Sequence, residues 1–221
     1  PTTPLVDPMC GTGTLPIEAA WIAGDCAPGL LRNYFGFINW QGHVPKMWNK
    51  LRDEALTRRD AGLSKVPEII GCDVNSRAVQ QARAHAERAG LGEVVRFAER
   101  DLNASQRPAG NPGLLVTNPP YGQRLGEVAE LDNLYAQLGQ VLKRDFQGWK
   151  AAVFTGNPQL GHALGLRAVL DNKLYNGPIE CRLLRFEVEA RYFTPDRTTE
   201  DAPGSAPTKP PESRANTTAG P

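Results

Sequence analysis

Three short segments carry residue types and spacings that could do chemistry. The first is Leu5-Val6-Asp7-Pro8-Met9-Cys10-Gly11-Thr12-Gly13-Thr14. A carboxylate closes an apolar run, a glycine turn follows, and a helical pattern begins. Gly11 and Gly13 remove the Cβ atoms that would hold a ligand off the backbone, and a helix start offers unpaired N–H groups. Such a turn cradles either a phosphate or the amino-acid part of a nucleoside cofactor, and Gly-x-Gly turns also occur for packing alone. The second is Asp73, closing Glu68-Ile69-Ile70-Gly71-Cys72-Asp73. A carboxylate there can accept both ribose hydroxyls of an adenosine-containing cofactor, usually about 20 residues after the glycine turn. Here the interval is much longer, and an Asp at a strand end is equally at home as a cap or turn residue. Asp101, after the next strand, stands where an adenine amine could be held. The third segment is Leu115-Val116-Thr117-Asn118-Pro119-Pro120-Tyr121-Gly122. Two prolines directly after a strand fix an extended backbone and remove two N–H donors, leaving carbonyls to accept. Asn118 adds an acceptor and a donor, and Tyr121 an aromatic face. Together they suit a planar base held by stacking, with both hydrogens of its exocyclic amine bound.

The elements that must position these residues alternate. Short apolar strands fall at residues 4–7, 68–73, 94–98, 113–117 and 149–155. Between them lie a helix from Thr14, with Pro16 tolerated in its first turn, and one capped by Asn75 or Ser76 and stopped by Gly90. A third helix carries Leu131, Leu134, Tyr135, Leu138, Val141 and Leu142, and a short one covers about 157–164. Two β-rich runs, 168–175 and 179–191, close the pattern with a hairpin expected at Asn176-Gly177. This alternation predicts an α/β fold with a mostly parallel sheet and an antiparallel C-terminal hairpin, its ligand crevice at the carboxyl ends of the strands. A helical insertion of about 28–66 follows the first helix. Its aromatics, Tyr34, Phe35, Phe37, Trp40 and Trp48, suit a satellite core. Its cations, Lys46, Lys50, Arg52, Arg58 and Arg59, alternatively suit a lobe facing phosphates, although Asp53, Glu54 and Asp60 interrupt them. The expected domain spans 1–192; residues 193–221, rich in Pro, Ser, Thr and Gly, are expected to be a disordered tail or linker.

Composition sets outer limits. At 221 residues and 40% hydrophobic, the chain suits one α/β domain, and no apolar run approaches a membrane span. Four scattered cysteines, with no C-x-x-C pair, read as reduced thiols of a cytoplasmic protein and leave no metal site. The net charge of +1 makes no electrostatic case for nucleic acid. Residue 1 is proline and the first motif follows at once, so a preceding segment is expected.

Asp7-Pro8-Met9-Cys10-Gly11-Thr12-Gly13-Thr14 paired with Asn118-Pro119-Pro120-Tyr121-Gly122-Gln123-Arg124-Leu125-Gly126 resembles the THUMP-associated RNA guanine-N2 methyltransferases. The similarity extends through Asn33-Tyr34-Phe35-Gly36-Phe37, the insertion, Phe154-Thr155-Gly156-Asn157 and Lys173-Leu174-Tyr175-Asn176-Gly177, covering roughly residues 4–186. The resemblance implies a Rossmann-like class I methyltransferase fold that uses S-adenosyl-L-methionine to methylate a guanine of 23S rRNA in the large subunit. It implies that Asp7, Cys10, Gly11, Gly13, Asp73 and Asp101 line the cofactor site, and that Asn118, Pro119, Pro120 and Tyr121 line the target-base site. Family members carry an N-terminal THUMP region that supplies much of the RNA affinity, and this chain does not contain it. Two other readings stay open: an amino-methyltransferase for another base or a protein glutamine, and a non-catalytic RNA-binding assembly module.

Overall fold

The computed structural model describes residues 2–122 and 128–194. The Gln123-Arg124-Leu125-Gly126 continuation and the tail from residue 195 lie outside the described residues. Seven strands form one sheet: β1 (Leu5–Asp7), β2 (Ile69–Asp73), β3 (Val95–Glu99), β4 (Leu114–Thr117), β5 (Lys150–Thr155), β6 (Leu170–Asn176) and β7 (Ile179–Glu187). Their order is β3-β2-β1-β4-β5-β7-β6. The first five pair in parallel, β7 runs antiparallel to β5, and β6 antiparallel to β7. Strand order reverses between β1 and β4, which places a crevice over the carboxyl ends of these two neighbours.

Helices cover both faces: α1 (Thr14–Ala23) and α3 (Ser76–Arg88) on one, α4 (Val128–Asp145) and α5 (Leu160–Ala163) on the other, while α2 (Pro45–Leu63) packs against α1. The central strands are therefore buried on both sides, the physical reason they read as continuous apolar runs instead of alternating ones. On one face Ile17, Ala20, Val79, Ala82, Leu91 and Phe97 pack α1 and α3 onto β1–β3. On the other, Tyr135, Leu138, Leu142, Phe146, Trp149 and Phe186 pack α4 against β4, β5 and β7. Each of the larger apolar side chains, the Ile, Val, Leu and Phe residues, contributes about 1.5–3 kcal/mol through burial. Asn75 caps α3, accepting from Arg77 N at 3.0 Å and Ala78 N at 3.3 Å. The helix stops where Gly90 takes φ +71°, with Gly90 N bonded to Glu87 O and Leu91 N to Ala86 O. Those paired bonds satisfy carbonyls that the helix end would leave bare. No helix among the described residues is long and apolar enough to cross a membrane.

Four expectations shift. The hairpin turn is Gly177-Pro178, one residue later than expected, because Asn176 still pairs with Ile179. Gly177 at φ +58° followed by Pro is what a type II′ turn demands, and it outcompetes the Asn-Gly signal. β7 ends at Glu187, with a 3-10 turn at Ala190–Tyr192 completing the expected strand run. α5 is only four residues long, Leu160–Ala163. In the insertion, α2 extends to Leu63 and buries no residue. Phe35, Phe37 and Trp48 do form a satellite cluster, with Trp48 edge-on at 5.0 and 4.9 Å from the two phenyl rings. Tyr34 and Trp40 do not join it; both are exposed.

Candidate active site

The site is assembled where β1, β2, β3 and β4 end. After Asp7 the chain turns sharply: Cys10 N bonds to Cys72 O of β2 at 2.8 Å, and Gly13 N to Cys10 O at 2.9 Å. Gly11 takes φ +53° and Gly13 φ +89°, both favouring glycine. Their roles differ. A Cβ on Gly11 would meet nothing within 4 Å, so this glycine faces open space on the crevice side. A Cβ on Gly13 would lie 2.9 Å from the Phe97 ring and 3.0 Å from Ala82, so this glycine lets α1 approach the core. Gly13 is also the N-cap of α1 and provides no side-chain hydrogen bond, which leaves the helix start to other partners. His85 of α3 braces the turn from behind, its Nδ1 2.9 Å from Thr12 O.

Asp73 is tied into this turn directly. Its carboxylate accepts from Gly11 N at 2.9 Å and from Asn75 N at 2.9 Å, one bond on each oxygen. It is thus both the turn residue and a brace of the glycine loop, and each oxygen keeps a lone pair for a further donor. Asp101 is exposed and caps a 3-10 turn, accepting from Asn103 N at 2.8 Å. The adjacent Arg100 N bonds to Asp73 O, so the β2 and β3 ends are held side by side.

Asp7 sits beneath, 1% exposed. Burial is the chief cause that pushes its carboxyl up to about 7. The Thr117 hydroxyl and the Met9 N–H, 3.1 Å away, pull it partly back, while the Asp73 carboxylate adds to the rise. The buried Thr117 Oγ1 has no well-aligned hydrogen-bond partner among the described residues, so its pull on Asp7 is a proximity effect. Cys10 turns its thiol inward, among the core residues of α1 and β2. Burial raises that thiol well above the usual thiol range. Cys10 ties the turn through its backbone N–H to Cys72 O at 2.8 Å and through its thiol, which donates to Gly11 O at 3.6 Å.

Across the switch point, β4 delivers Asn118. Its side chain is exposed and makes no hydrogen bond among the described residues, while Pro119 behind it is buried. Tyr121 is half-buried against the α4-side core. Its hydroxyl accepts from Asn176 Nδ2 at 3.0 Å, and its ring lies over Gly156, where a Cβ would come within 2.6 Å. The loop that carries Gly156 is stiffened by Thr155 Oγ1, which accepts from Tyr135 Oη at 2.9 Å and from Asn157 N at 3.1 Å. Gly156 and Asn176 were not singled out as site residues from the sequence. Their signal was present, since both lie in the Phe154–Asn157 and Lys173–Gly177 stretches noted above, but their partner is distant in the chain. No group of three or more His, Cys, Asp or Glu among the described residues could hold a metal ion. A cavity of about 500 Å³ lies at the other ends of α1 and α3, among Trp21, Leu30, Leu63 and Leu91, far from this chemistry.

Comparison with known proteins gives a consistent group. A family model described as "RMKL-like, methyltransferase domain" matches residues 1–185. The chain is 54% identical over 196 residues to the ribosomal RNA large subunit methyltransferase K/L of Syntrophotalea carbinolica, covering 87% of this chain and 28% of that protein. It is 50% identical over 208 residues to the protein of the same name from Allochromatium vinosum, covering 91% and 28%. Among solved structures it is similar to SMU.472, described as "a putative methyltransferase complexed with SAH", with 33% identity and a TM-score of 0.78 over 85% of this chain and 48% of that one. The chain therefore spans 28% of the length of these curated relatives.

Proposed function

The chain belongs to the RMKL-like methyltransferase domain family, and from that premise we propose that it methylates the exocyclic N2 amine of a guanine in 23S rRNA with S-adenosylmethionine. The curated relatives are named as rRNA large subunit methyltransferases, which supports the polymer. The choice of an exocyclic amine rests on the Asn118-Pro119-Pro120-Tyr121 segment, and guanine on the family resemblance of the paired motifs.

The residues present fit the cofactor. Gly11 leaves open space where a side chain would stand, the α1 start has no side-chain cap, and Asp73, bonded to Gly11 N, keeps lone pairs for a further donor. On this reading the glycine turn and α1 start take the amino-acid part, Asp73 the ribose hydroxyls and Asp101 the adenine amine. Bound there, S-adenosylmethionine supplies an electrophilic methyl group on its sulfonium. The chain's own task is then positioning. A stacked amine is unreachable, so the guanine leaves its helix and lies against Tyr121. Asn118 Oδ1 and a carbonyl of the Pro-Pro segment accept the two amine hydrogens, which aims the nitrogen lone pair at the methyl group. With the methyl group already on a sulfonium, N2 would take it directly, the C–S bond breaking as the C–N bond forms and the N2 proton passing to solvent, so no covalent enzyme intermediate is needed and the chain contributes alignment.

The observation that carries this reading is an exposed Asn118, without a hydrogen-bond partner among the described residues, whose backbone is locked by two prolines at the end of β4, the strand paired with β1. Asn118→Ala is expected to keep affinity for S-adenosylhomocysteine while single-turnover methyl transfer to saturating RNA falls by orders of magnitude. Near wild-type transfer by that variant would reject the assignment.

A further inference from the structure

The insertion leaves a surface that the site above does not use. Between residues 26 and 52 the sequence contains Arg32, Lys46, Lys50 and Arg52 and no Asp or Glu. The chain's net charge of +1 hides this local surplus of four. All four cations are exposed, and none makes an ion pair among the described residues. Carboxylates flank the segment on both sides, and three of them are partly neutralised by later arginines: Arg58 pairs with Asp25 at 2.7 Å and with Glu54 at 3.9 Å, and Arg59 pairs with Asp60 at 2.7 Å.

Aromatic rings are interleaved with these cations. Trp40 is 70% exposed and Tyr34 59%. One part of the indole lies over Gly42, where a Cβ would come within 2.8 Å. The ring is thus held in place while most of its surface faces water. Beside it, Phe35, Phe37 and Trp48 wall a cavity of about 300 Å³ whose lining also includes Arg32 and Arg52. Apolar walls with guanidinium groups among them suit a planar heteroaromatic group attached to a phosphate. Only the C-terminal end of α2 reaches the core, where Leu63 packs against the cluster formed by α1 and α3. α2 buries no residue and meets α1 where Gly62 crosses Gly24, a contact so close that a Cβ on Gly62 would overlap Gly24 O.

We propose that residues 26–52 form a docking surface for unpaired RNA, distinct from the target-base site. Tyr34 and Trp40 stack on bases, and Arg32, Lys46, Lys50 and Arg52 track the phosphates. The choice of RNA as occupant follows from charge complementarity and from rings left in water; it rests on the rRNA reading above and adds a second contact region to it. Unstacked bases offer a π-face whatever their sequence, and positive side chains beside them fix the backbone.

The test is fluorescence anisotropy of this chain with a fluorescein-labelled RNA hairpin bearing an unpaired purine loop, titrated at several salt concentrations. Trp40→Ala is expected to raise Kd about fivefold to hundredfold. Lys46→Gln with Lys50→Gln is expected to flatten the dependence of log Kd on log salt by about 1.4. Both substitutions lie on exposed positions, and unchanged affinity for S-adenosylhomocysteine shows that the variants remain folded. Wild-type Kd and salt slope in both variants would overturn the proposal. So would sedimentation showing a dimer that Trp40→Ala dissociates without changing RNA affinity, since the surface would then belong to a second copy. Methyl transfer is measured in parallel. Weakened RNA binding by the variants supports the docking surface even where no transfer is found, and undiminished binding overturns it even where transfer is normal.

Discussion

Asp73 serves the turn and the proposed ribose contact with the same two oxygens. Each oxygen already takes a backbone N–H at 2.9 Å, from Gly11 and from Asn75. Removing the carboxylate therefore frees the glycine loop as well as deleting the acceptor. A hydrogen bond to a charged acceptor contributes about 1.5–3 kcal/mol, so Asp73→Ala should raise the Kd for S-adenosylhomocysteine at least about tenfold to hundredfold in calorimetry. An unchanged Kd in a folded variant would remove Asp73 from the site. Asp7 gives a prediction in pH. Its carboxyl is raised by burial from 3.8 to about 7 in the folded chain. Between those values the unfolded chain has lost the proton while the folded chain keeps it. The folded state binds more protons there, so this group's contribution to stability falls as pH rises from about 4 to about 7. Asp7→Asn carries no such proton. In urea titrations, the stability of wild type relative to Asp7→Asn should decline across that window; a difference independent of pH would contradict it.

At the scale of elements, the two glycines of the first turn separate cleanly. Gly13→Ala forces a left-handed backbone and pushes a Cβ to 2.9 Å from Phe97, so it should destabilise the fold by about 2–4 kcal/mol in chemical denaturation. A loss below about 0.5 kcal/mol would mean that α1 and Phe97 shift freely. Gly156→Ala works differently, since it displaces the Tyr121 ring instead of a core side chain. It should impair RNA methylation far more than thermal stability. The contrast also shows what the sequence made legible. The β1–turn–α1 unit, the Asn75 cap, the Gly90 stop and the β4–Asn118 junction are all local, written in residues a few positions apart. The Asp73–Gly11 bond spans 62 positions and the Asn176–Tyr121 bond spans 55, and no local pattern announces either. The turn sits at Gly177-Pro178, one residue beyond the Asn-Gly signal, because Asn-Gly and Gly-Pro compete there and only cross-strand register decides. The insertion was half legible. Its aromatics suit a satellite core, and Phe35, Phe37 and Trp48 do cluster, but none is fully buried and Phe37 stays 42% exposed, because little of α2 meets the body; Tyr34 and Trp40 stay in solvent for the same reason.

The whole molecule places its chemistry by topology. One mostly parallel sheet, reversing between β1 and β4, brings residues from distant parts of the chain to a single edge. A ligand bound there should stabilise the entire cooperative unit. At a hundredfold excess over Kd the linkage is about 2.7 kcal/mol, so S-adenosylhomocysteine should raise the melting temperature by about 5–10 °C in a domain of this size. No shift, with calorimetry also silent, would mean that the strand-end crevice is not a cofactor site. The most direct test of the account is the identity of the product. This chain, in excess, is incubated with unmodified 23S rRNA and methyl-labelled S-adenosylmethionine, and the RNA is digested to nucleosides for mass spectrometry. The account predicts label in N2-methylguanosine. Label in N6-methyladenosine, or in protein glutamine with none in RNA, would contradict it.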